Sequence, residues 1–536
     1  MKKRTGFTLV ELLAVIVILA IVLIIAVPGV LSIINKTKED AFASQKKILA
    51  ESARLYVSTE TDIKWTGKDT KVAVVTLEQM KQSGHLDQKI INPRNKKEIT
   101  CGSVVVSKDA PNKTSYDVHL GCANSPRLSS NMIPIVYNGN TWVKADPNNT
   151  DQSWFQYETQ QWANVATVSE STREAYTNAK IGNEVKMEDI NAMFVWVPRF
   201  KYKLFNVDGT ISPVGNKDLA GEYHIDVEFE TTTDQKSNGS KNGRWLTYPA
   251  FTFGGEELEG FWMAKFETGY KDATTTTEAQ SNTVDPTKVI VKPSVYSWRS
   301  ILAVNMFKNA QGMKDASNPY GFTVNENPHL AKNMEWGAMA YLTQSKYGKQ
   351  GNAMYMGSEK EVRINNNNIY LTGCGADAQD AVGVETCNSY TTVNGMTAST
   401  TGNISGVYDT AGGAWDYVAG VMKDENGSDL YVSLSGFDQA ELNQIGAEGK
   451  YLDVYEYGTT WEDRSRGYLG DATIEMGPFD NYQNAWYKDY GRFIYKNVSW
   501  FYSGAFPNDI SFAGITAYRY SNHGEKTHGT SRIVVV

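Results

Sequence analysis

An unbroken apolar run near the start of the chain is its clearest hydrophobic pattern. Residues 12–35, LLAVIVILAIVLIIAVPGVLSIIN, carry no charge, three basic residues stand at 2–4, and Lys36 follows. Since ~20 apolar residues cross the hydrocarbon core as a helix, this run predicts one membrane-spanning segment. Apolar residues then continue at mixed three- and four-residue spacing to about Val57. We therefore expect one long helix over 7–58, with 7–35 as its membrane part.

The pattern changes to alternation after the helix. VAVVTLEQMKQSG (72–84) predicts a strand followed by a short helix, and SVVVSK (103–108) and SYDVHL (115–120) predict two further strands. A small sheet that leans on the long helix would use these elements. We place this head at 59–125.

The remaining chain mixes short aromatic-polar strands, turn signals and helical stretches. Residues 126–254 combine a Pro-, Ser- and Asn-containing linker with a β-rich module, in which NG predicts a hairpin turn. MEDINAMFVWVPRFKYKLF (187–205) predicts a short helix leading into a strand, and 327–348 has helical spacing. The fold class expected for the whole chain is α+β, with a larger domain over 255–536.

Length, charge and cysteine usage bear on the number of domains, the class of partner and the presence of disulfides. A chain of 536 residues is too long for one ordinary domain, and a net charge of -8 gives no support for a specific nucleic-acid partner. The four cysteines form two close sequence pairs without CxxC spacing. Two disulfides in an exported protein, Cys101–Cys122 and Cys374–Cys387, are the interpretation we favour; four buried thiols are the alternative.

Glu11 lies at the edge of the apolar run, and simple targeting segments do not explain it. A secretory signal peptide fits poorly, because the run exceeds an ordinary apolar region and no A-x-A site ends it. A plain membrane anchor leaves a carboxylate in lipid, which is costly unless it is paired.

The first residues, MKKRTG followed by FTLVE, resemble the cleavage and methylation motif of type IV prepilins and pseudopilins. The resemblance implies a leader at 1–6, cleavage after Gly6 by a membrane prepilin peptidase, and methylation of Phe7. Glu11 would be the fifth mature residue, and Pro28 falls where many such proteins have a helix-kinking proline.

In that family the subunits stack into a filament. The resemblance then implies that Glu11 meets the N-terminal amine of a neighbouring subunit and sets the register, since an unpaired carboxylate in a low-dielectric core is costly. The implied partners are other pilin subunits, the peptidase and the cytoplasmic membrane.

A second resemblance covers about 255–536. LAKNMEWGAMAY, GVYDTAGGAWDYV, VSW and SRIVVV occur in the order typical of the formylglycine-generating-enzyme-like branch of the C-type lectin fold. The oxidase of that branch needs a late cysteine pair, and no cysteine follows Cys387. HExxH, GxSxG and Walker A motifs are absent as well, so we expect no enzyme.

The same resemblance implies a structural calcium ion and no required cofactor. The matched ligands are the side chains of Asp409 and Asp416 and the carbonyls of Gly412 and Ala414. The family usually has Glu at the position of Asp416, and the shorter Asp side chain reaches less far toward a calcium ion. The alternative is that Asp409 caps a turn.

The late loops, about 499–530, are where this fold usually binds ligands. Their aromatic and small polar residues suit a surface ligand, either a glycan or a protein. The candidate contacts are Phe501, Tyr502, Phe506, Asn508, Asp509, Phe512, Tyr518, Tyr520 and Asn522. We expect about half of them to be buried, with Phe501, Phe512 and Tyr518 in the core.

These features predict a type IV pilin-like subunit, minor or at the tip, that displays a lectin-like adhesin domain. It would be a single-pass protein of the cytoplasmic membrane before assembly and part of a surface filament afterwards. The alternative is a pseudopilin of a type II secretion or competence machine.

Overall fold

The structure is a computed structural model that describes residues 41–536 apart from gaps, the longer ones at 66–70, 92–97, 205–224, 233–244, 350–360 and 477–484. The chain divides into two compact units, Met1–Cys122 and Ala123–Val536. The predicted leader, the membrane segment 7–35, Cys101 and Cys122 lie outside the described residues. Among the helices that are described, none is both long and apolar enough to span a bilayer.

The first unit is a helix packed on a three-stranded sheet. Its elements are α1 (43–59), β1 (Lys71–Thr76), α2 (Leu77–Gln82), β2 (Gly102–Asp109) and β3 (Lys113–Leu120). The strands are antiparallel in the order β1-β2-β3. Leu49 and Ala53 of α1 are buried against Val104 and Val106 of β2. The strand–helix–strand–strand order predicted from the sequence is therefore the one observed.

The second unit contains many short elements. Its strands are β4 (Ile133–Tyr137), β5 (Trp142–Lys144), β6 (Asn164–Val168), β7 (Ile190–Pro198), β8 (Phe200–Leu204), β9 (Ile225–Phe229), β10 (Leu246–Thr247), β11 (Thr252–Phe253), β12 (Glu256–Glu257), β13 (Gly260–Ala264), β14 (Gly269–Tyr270), β15 (Val289–Ile290), β16 (His329–Leu330), β17 (Cys374–Gly375), β18 (Asn388–Ser389), β19 (Trp415–Met422), β20 (Asp453–Tyr455), β21 (Trp500–Gly504), β22 (Gly514–Ser521), β23 (Gly529–Ser531) and β24 (Ile533–Val535). Its α-helices are α3 (Glu170–Asn178), α4 (Ala303–Gly312), α5 (Asn333–Thr343), α6 (Val393–Met396) and α7 (Gln439–Ala447). Short 3-10 helices lie at Tyr157–Thr159, Pro249–Phe251, Pro286–Lys288 and Trp486–Lys488. The fold class is mixed α+β, with several small sheets and few helices.

The largest sheet has seven strands in the order β16-β24-β13-β7-β6-β4-β5. Strands from 133–198 therefore pair directly with a strand at 260–264, and the last strand of the chain lies between β16 and β13. This differs from the predicted boundary between 126–254 and 255–536. The reason is that β7 and β13 are almost completely buried, so their backbone N–H and C=O groups need hydrogen-bond partners, which the two antiparallel strands supply to each other.

A second sheet of five strands supports the late part of the chain. β20, β19, β21 and β22 lie in that order, and β23 pairs with β19. Helix α5 is buried along almost its whole length and contacts β7 as well as β19. Its Trp336 Nε1 donates a hydrogen bond to Ile515 O at 2.9 Å. The five-stranded sheet and α5 thus form a packed core beneath the late loops.

One local prediction differs from the structure, and one helix was not predicted. Residues 187–189 form a turn instead of a short helix, and β7 follows directly. Helix α3 at Glu170–Asn178 was not predicted, because none of its residues is buried and it has no apolar face to give a periodic signal. The predicted NG hairpin is present between β4 and β5.

Candidate functional site

The nine candidate ligand residues divide into a buried group and a surface group. Phe501, Tyr502 and Tyr518 are in the core, so these three cannot touch a ligand without unfolding. The other candidates are half-buried or exposed: Phe506, Asn508, Asp509, Phe512, Tyr520 and Asn522. Phe512, which we expected in the core, is instead 39 % exposed. We call the surface formed by these six half-buried or exposed candidates the late-loop surface, and Phe512 is its most exposed aromatic side chain.

Stacked ring pairs organise this surface. The rings of Phe512 and Tyr490 stack with their centroids 5.1 Å apart, and Phe506 stacks on His528 at 5.1 Å. Such pairs stabilise by about 0.5–1.5 kcal/mol beyond the area that they bury. The aromatic side chains are therefore held in place by their neighbours on this surface.

Asp509 brings a carboxyl group to the same surface. Its Oδ2 accepts a hydrogen bond from Phe506 N at 3.3 Å, and it also hydrogen-bonds with Tyr490. Burial raises the pKa of Asp509 to about 6, although Arg519 and Arg492 act in the opposite direction. The carboxyl group can accordingly gain a proton under mildly acidic conditions.

The disulfide-closed loop 374–387 lies beside the late loops. The bond between Cys374 and Cys387, one of the two predicted, is present. The loop exposes Val382 by 65 % and Val384 by 38 %. A Cβ at Gly383 would lie 3.1 Å from Asn508 Oδ1, which shows that the two loops touch. The loop therefore extends the late-loop surface with apolar side chains.

A run of four asparagines, 365–368, forms hydrogen bonds with the backbone of this loop. Asn366 O accepts from Val384 N at 2.9 Å, Asn368 N donates to Val384 O at 2.9 Å, and Asn366 Nδ2 donates to Val382 O at 2.8 Å. The sequence analysis did not single out the asparagines. The signal was present, because four consecutive side chains that can bond to backbone groups are typical of a structured turn region.

The two acidic side chains among the candidate calcium ligands, Asp409 and Asp416, both accept hydrogen bonds from protein donors. Asp416 Oδ2 accepts hydrogen bonds from Arg532 Nε at 3.1 Å and Nη2 at 3.0 Å. Asp409 Oδ1 accepts from Asn365 Nδ2 and Gly373 N, both at 2.8 Å. Asp416 Oδ1, in contrast, is buried and has no hydrogen-bond partner in the described part of the chain. In the described part of the chain, no cluster of three or more acidic, His or Cys side chains is arranged to hold a metal.

Gly412 and Ala414 have structural roles in this turn. Gly412 has a φ of +73°, and a Cβ there would lie 2.2 Å from Asn365 O, so the position requires glycine. Ala414 N donates to Glu267 Oε1 at 2.8 Å. Burial raises the pKa of Glu267 well above its usual range, with Asp409 and Asp416 adding to the shift. Burial also raises the pKa of Asp416 to about 6.

Sequence reasoning missed a row of alternating arginine and aromatic side chains at the edge of the late loops. We call it the arginine ladder, and its members are Trp461, Arg492, Tyr490, Arg519 and Tyr520. Only Tyr520 was among the candidates. The signal was the pair of short segments DYGRF and AYRYS, in which arginine stands next to or two residues from tyrosine.

The comparison with known families concerns the other end of the chain. Residues 1–27 match the family described as "Prokaryotic N-terminal methylation motif". This match covers Gly6, Phe7 and Glu11, so the chain carries a prepilin-type N-terminus. Pro28 lies one residue beyond the match. No curated protein matches the chain.

Proposed function

We propose that this chain is a minor or tip subunit of a type IV pilin-like filament that displays a ligand-binding region outside the cell. One observation carries the proposal: the methylation motif at 1–27 precedes a compact unit that runs from Ala123 to Val536. A prepilin-type N-terminus implies processing by a prepilin peptidase and association with other pilin subunits. It also fits anchoring in the cytoplasmic membrane followed by assembly at the surface.

The N-terminal residues would provide assembly. Cleavage after Gly6 leaves Phe7 with a positive amine, and Glu11 of one subunit would pair with the amine of a neighbour inside the filament core. A buried pair of this kind favours one register, because any other register leaves a charge without a partner. Pro28 removes one backbone donor and would let the helix bend where subunits pack.

The large unit argues for few copies in each fibre. Domains most often contain about 100–150 residues, and the unit from Ala123 to Val536 is several times longer. Such a unit would crowd a close helical array if every subunit carried one. A tip or sparse position avoids this crowding and leaves the late-loop surface accessible to a glycan or protein ligand.

A binding role is favoured over catalysis. The oxidase chemistry of the branch that the sequence resembles needs a free late cysteine pair, whereas Cys374 and Cys387 are bonded to each other. We also propose that Arg532 supplies the positive charge that the resemblance assigns to calcium, since its guanidinium already binds Asp416. The lectin-like character of 255–536 is part of this proposal and rests on the four sequence segments alone.

The second candidate is a pseudopilin of a secretion or competence machine, because such proteins carry the same N-terminal motif. Immunogold electron microscopy of whole cells, with antibody against residues 123–536, separates the two. Label at fibre tips or sparsely along fibres supports the displayed adhesin. Label confined to the cell envelope, with no labelled fibres, favours the pseudopilin, and a strain that lacks the gene controls for antibody specificity.

A further inference from the structure

The arginine ladder places two guanidinium groups against aromatic faces at the late-loop surface. Arg492 Cζ lies 5.5 Å from the ring centroid of Trp461 and 5.1 Å from that of Tyr490. Arg519 Cζ lies 5.4 Å from Tyr490 and 5.6 Å from Tyr520. Each arginine therefore has an aromatic ring on two sides, and Tyr490 is shared between them.

Backbone pairing fixes the three segments that carry the ladder. Phe493 N donates to Trp461 O at 3.0 Å, Arg492 N donates to Tyr518 O at 3.0 Å, and Tyr518 N donates to Tyr490 O at 2.8 Å. Arg519 and Tyr520 are part of β22, which pairs with β21. The side chains are thus positioned by strand-like backbone, which lowers the entropy lost when a ligand binds.

The positive charges of the ladder have no ion-pair partners among the described residues. Neither Arg492 nor Arg519 forms a salt bridge with a carboxylate in the residues that the structure describes. Arg492 Nε is buried and has no hydrogen-bond partner there. Asp509 is close enough to interact with both guanidiniums electrostatically, but it bonds to Tyr490 and Phe506 N. Both arginines are only half-buried, and no described carboxylate forms a salt bridge with either guanidinium, so the exposed parts of these groups can donate to an outside anion.

We propose that the arginine ladder binds carboxylate-bearing carbohydrate, with a sugar carboxylate on Arg519 or Arg492 and a sugar ring against Phe512 or Tyr520. The proposal rests on the displayed binding role above and gives it a ligand class. Guanidinium forms bidentate hydrogen bonds with carboxylate. An exposed aromatic face can pack against the C–H face of a sugar ring. Phe512 stacks on Tyr490, the ring that both arginines approach.

A polyphosphate ligand fits less well. Binding to nucleic acid depends on many phosphate contacts and is supported by a basic surface. Here the chain has a net charge of -8, and the exposed residues Glu462 and Asp463 follow Trp461 directly. Two isolated guanidiniums match a ligand whose charges are spaced by sugar rings better than a dense row of phosphates.

The test uses the full-length chain in detergent micelles and measures binding to immobilised polymers by biolayer interferometry. The acidic glycans are hyaluronate, polygalacturonate and polysialic acid; the comparison polymers are uncharged dextran, oligo-dT and poly-glutamate. We expect saturable binding to at least one acidic glycan that weakens as salt rises, and none to dextran. Failure of all three acidic glycans, or equal binding of oligo-dT or poly-glutamate, would overturn the proposal.

Variants then locate the binding surface. Arg492→Gln and Arg519→Gln should each weaken binding about tenfold or more, because a charge-assisted hydrogen bond is lost. Arg519→Lys keeps the charge but loses the planar fork, so its affinity should fall between those of wild type and Arg519→Gln. Arg54→Gln, in the exposed pair with Glu51 of the first unit, is the matched control and should bind as wild type does.

Unfolding midpoints check that the ladder variants are folded. If folded Arg492→Gln and Arg519→Gln proteins both bind like wild type, the ladder is not the site. Binding is measured on the isolated chain, so it does not depend on filament assembly. Immunogold labelling does not depend on the ligand, so failure of one proposal can be told from failure of the other.

Discussion

Arg532, next to the last strand, donates hydrogen bonds from Nε and Nη2 to Asp416 Oδ2, and both side chains are almost completely buried. Arg532 also donates from Nη1 to Ala264 O and from Nη2 to Asp409 O, each at 3.0 Å. One guanidinium therefore connects the large sheet to the turn that was expected to hold calcium. Its removal would leave buried acceptors and a buried carboxylate without a donor.

Arg532→Gln should lower the free energy of unfolding by about 3–5 kcal/mol, since it leaves one partner of a buried pair uncompensated. Urea denaturation of the full-length chain in detergent measures the loss. The control Arg54→Gln breaks an exposed pair and should change the free energy by at most about 1 kcal/mol. A loss for Arg532→Gln no larger than that of the control would contradict a structural role for the buried pair.

Added calcium should leave the unfolding midpoint of the wild-type chain unchanged. Arg532 already neutralises Asp416, and a ligand stabilises a protein only if it binds the folded state. A thermal scan in calcium chloride, with magnesium chloride at equal ionic strength as the comparison, checks this. A midpoint that rises with calcium alone would show that the ion does bind the folded protein.

Glu475 should make the stability of the second unit depend on pH. Its carboxylate accepts hydrogen bonds from the hydroxyls of Tyr202 and Tyr341, both at 2.6 Å, and burial raises its pKa to about 7. Because the pKa of Glu475 is higher in the folded state than in the unfolded state, protonated Glu475 stabilises the fold. This contribution to the free energy of unfolding is fully present below about pH 4.5 and is lost as the pH rises through 7. The free energy of unfolding should therefore be lower by roughly 3 kcal/mol at pH 8 than at low pH.

Glu475→Gln keeps the shape and removes the titration. Its free energy of unfolding should vary less between pH 5 and pH 8 than that of the wild type. Exposed Glu462→Gln is the matched control and should follow the wild-type profile. Parallel profiles for wild type and Glu475→Gln would mean that this carboxyl group does not titrate in the range.

The Cys374–Cys387 bond should stabilise the chain and order the loop that it closes. The two cysteines are 13 residues apart, and closing a loop of this size contributes about 3 kcal/mol. In the double variant Cys374→Ser, Cys387→Ser, we expect faster proteolysis within 374–387. Non-reducing peptide mapping should find the two cysteines linked in the wild type. Free thiols at both positions would contradict the bond; Cys101–Cys122 stays a prediction that the same map tests.

Glu11→Ala should leave membrane insertion and leader cleavage intact while it blocks incorporation into fibres. The reason is that the variant removes the charge proposed to pair with a neighbour's N-terminal amine. Glu51→Ala, on the exposed face of α1, is the control and should assemble normally. Fractionation into membrane and sheared-fibre pools provides the measurement. Normal amounts of Glu11→Ala in the fibre pool would defeat the register hypothesis.

Gly6→Val should leave residues 1–6 attached, because a branched side chain next to the scissile bond hinders the peptidase. Intact mass of the membrane-extracted protein distinguishes the uncleaved chain from the cleaved and methylated one. Gly29→Ala lies within the apolar run and away from the bond, so it serves as the control. Cleavage of Gly6→Val at the wild-type position would show that glycine is not required there.

The pattern of residues along the chain was enough to predict the local elements and the N-terminal motif. The alternation in 72–84, 103–108 and 115–120 was sufficient for β1, α2, β2 and β3, and the asparagine–glycine turn was sufficient for the β4–β5 hairpin. These features depend on neighbours in the chain, where period and turn chemistry act directly. The motif at 1–27 is likewise a contiguous stretch.

Which distant segments meet could not be predicted from the sequence pattern and became clear from the fold. β24 pairs with β13, and Arg532 reaches Asp416, because long-range packing selects among many strands of similar composition. The burial of Tyr518 and the exposure of Phe512 have the same origin, since both belong to one aromatic-rich segment and only the sheet underneath separates them. Trp461 meets Arg492 through pairing of separate segments, a contact that no periodicity encodes.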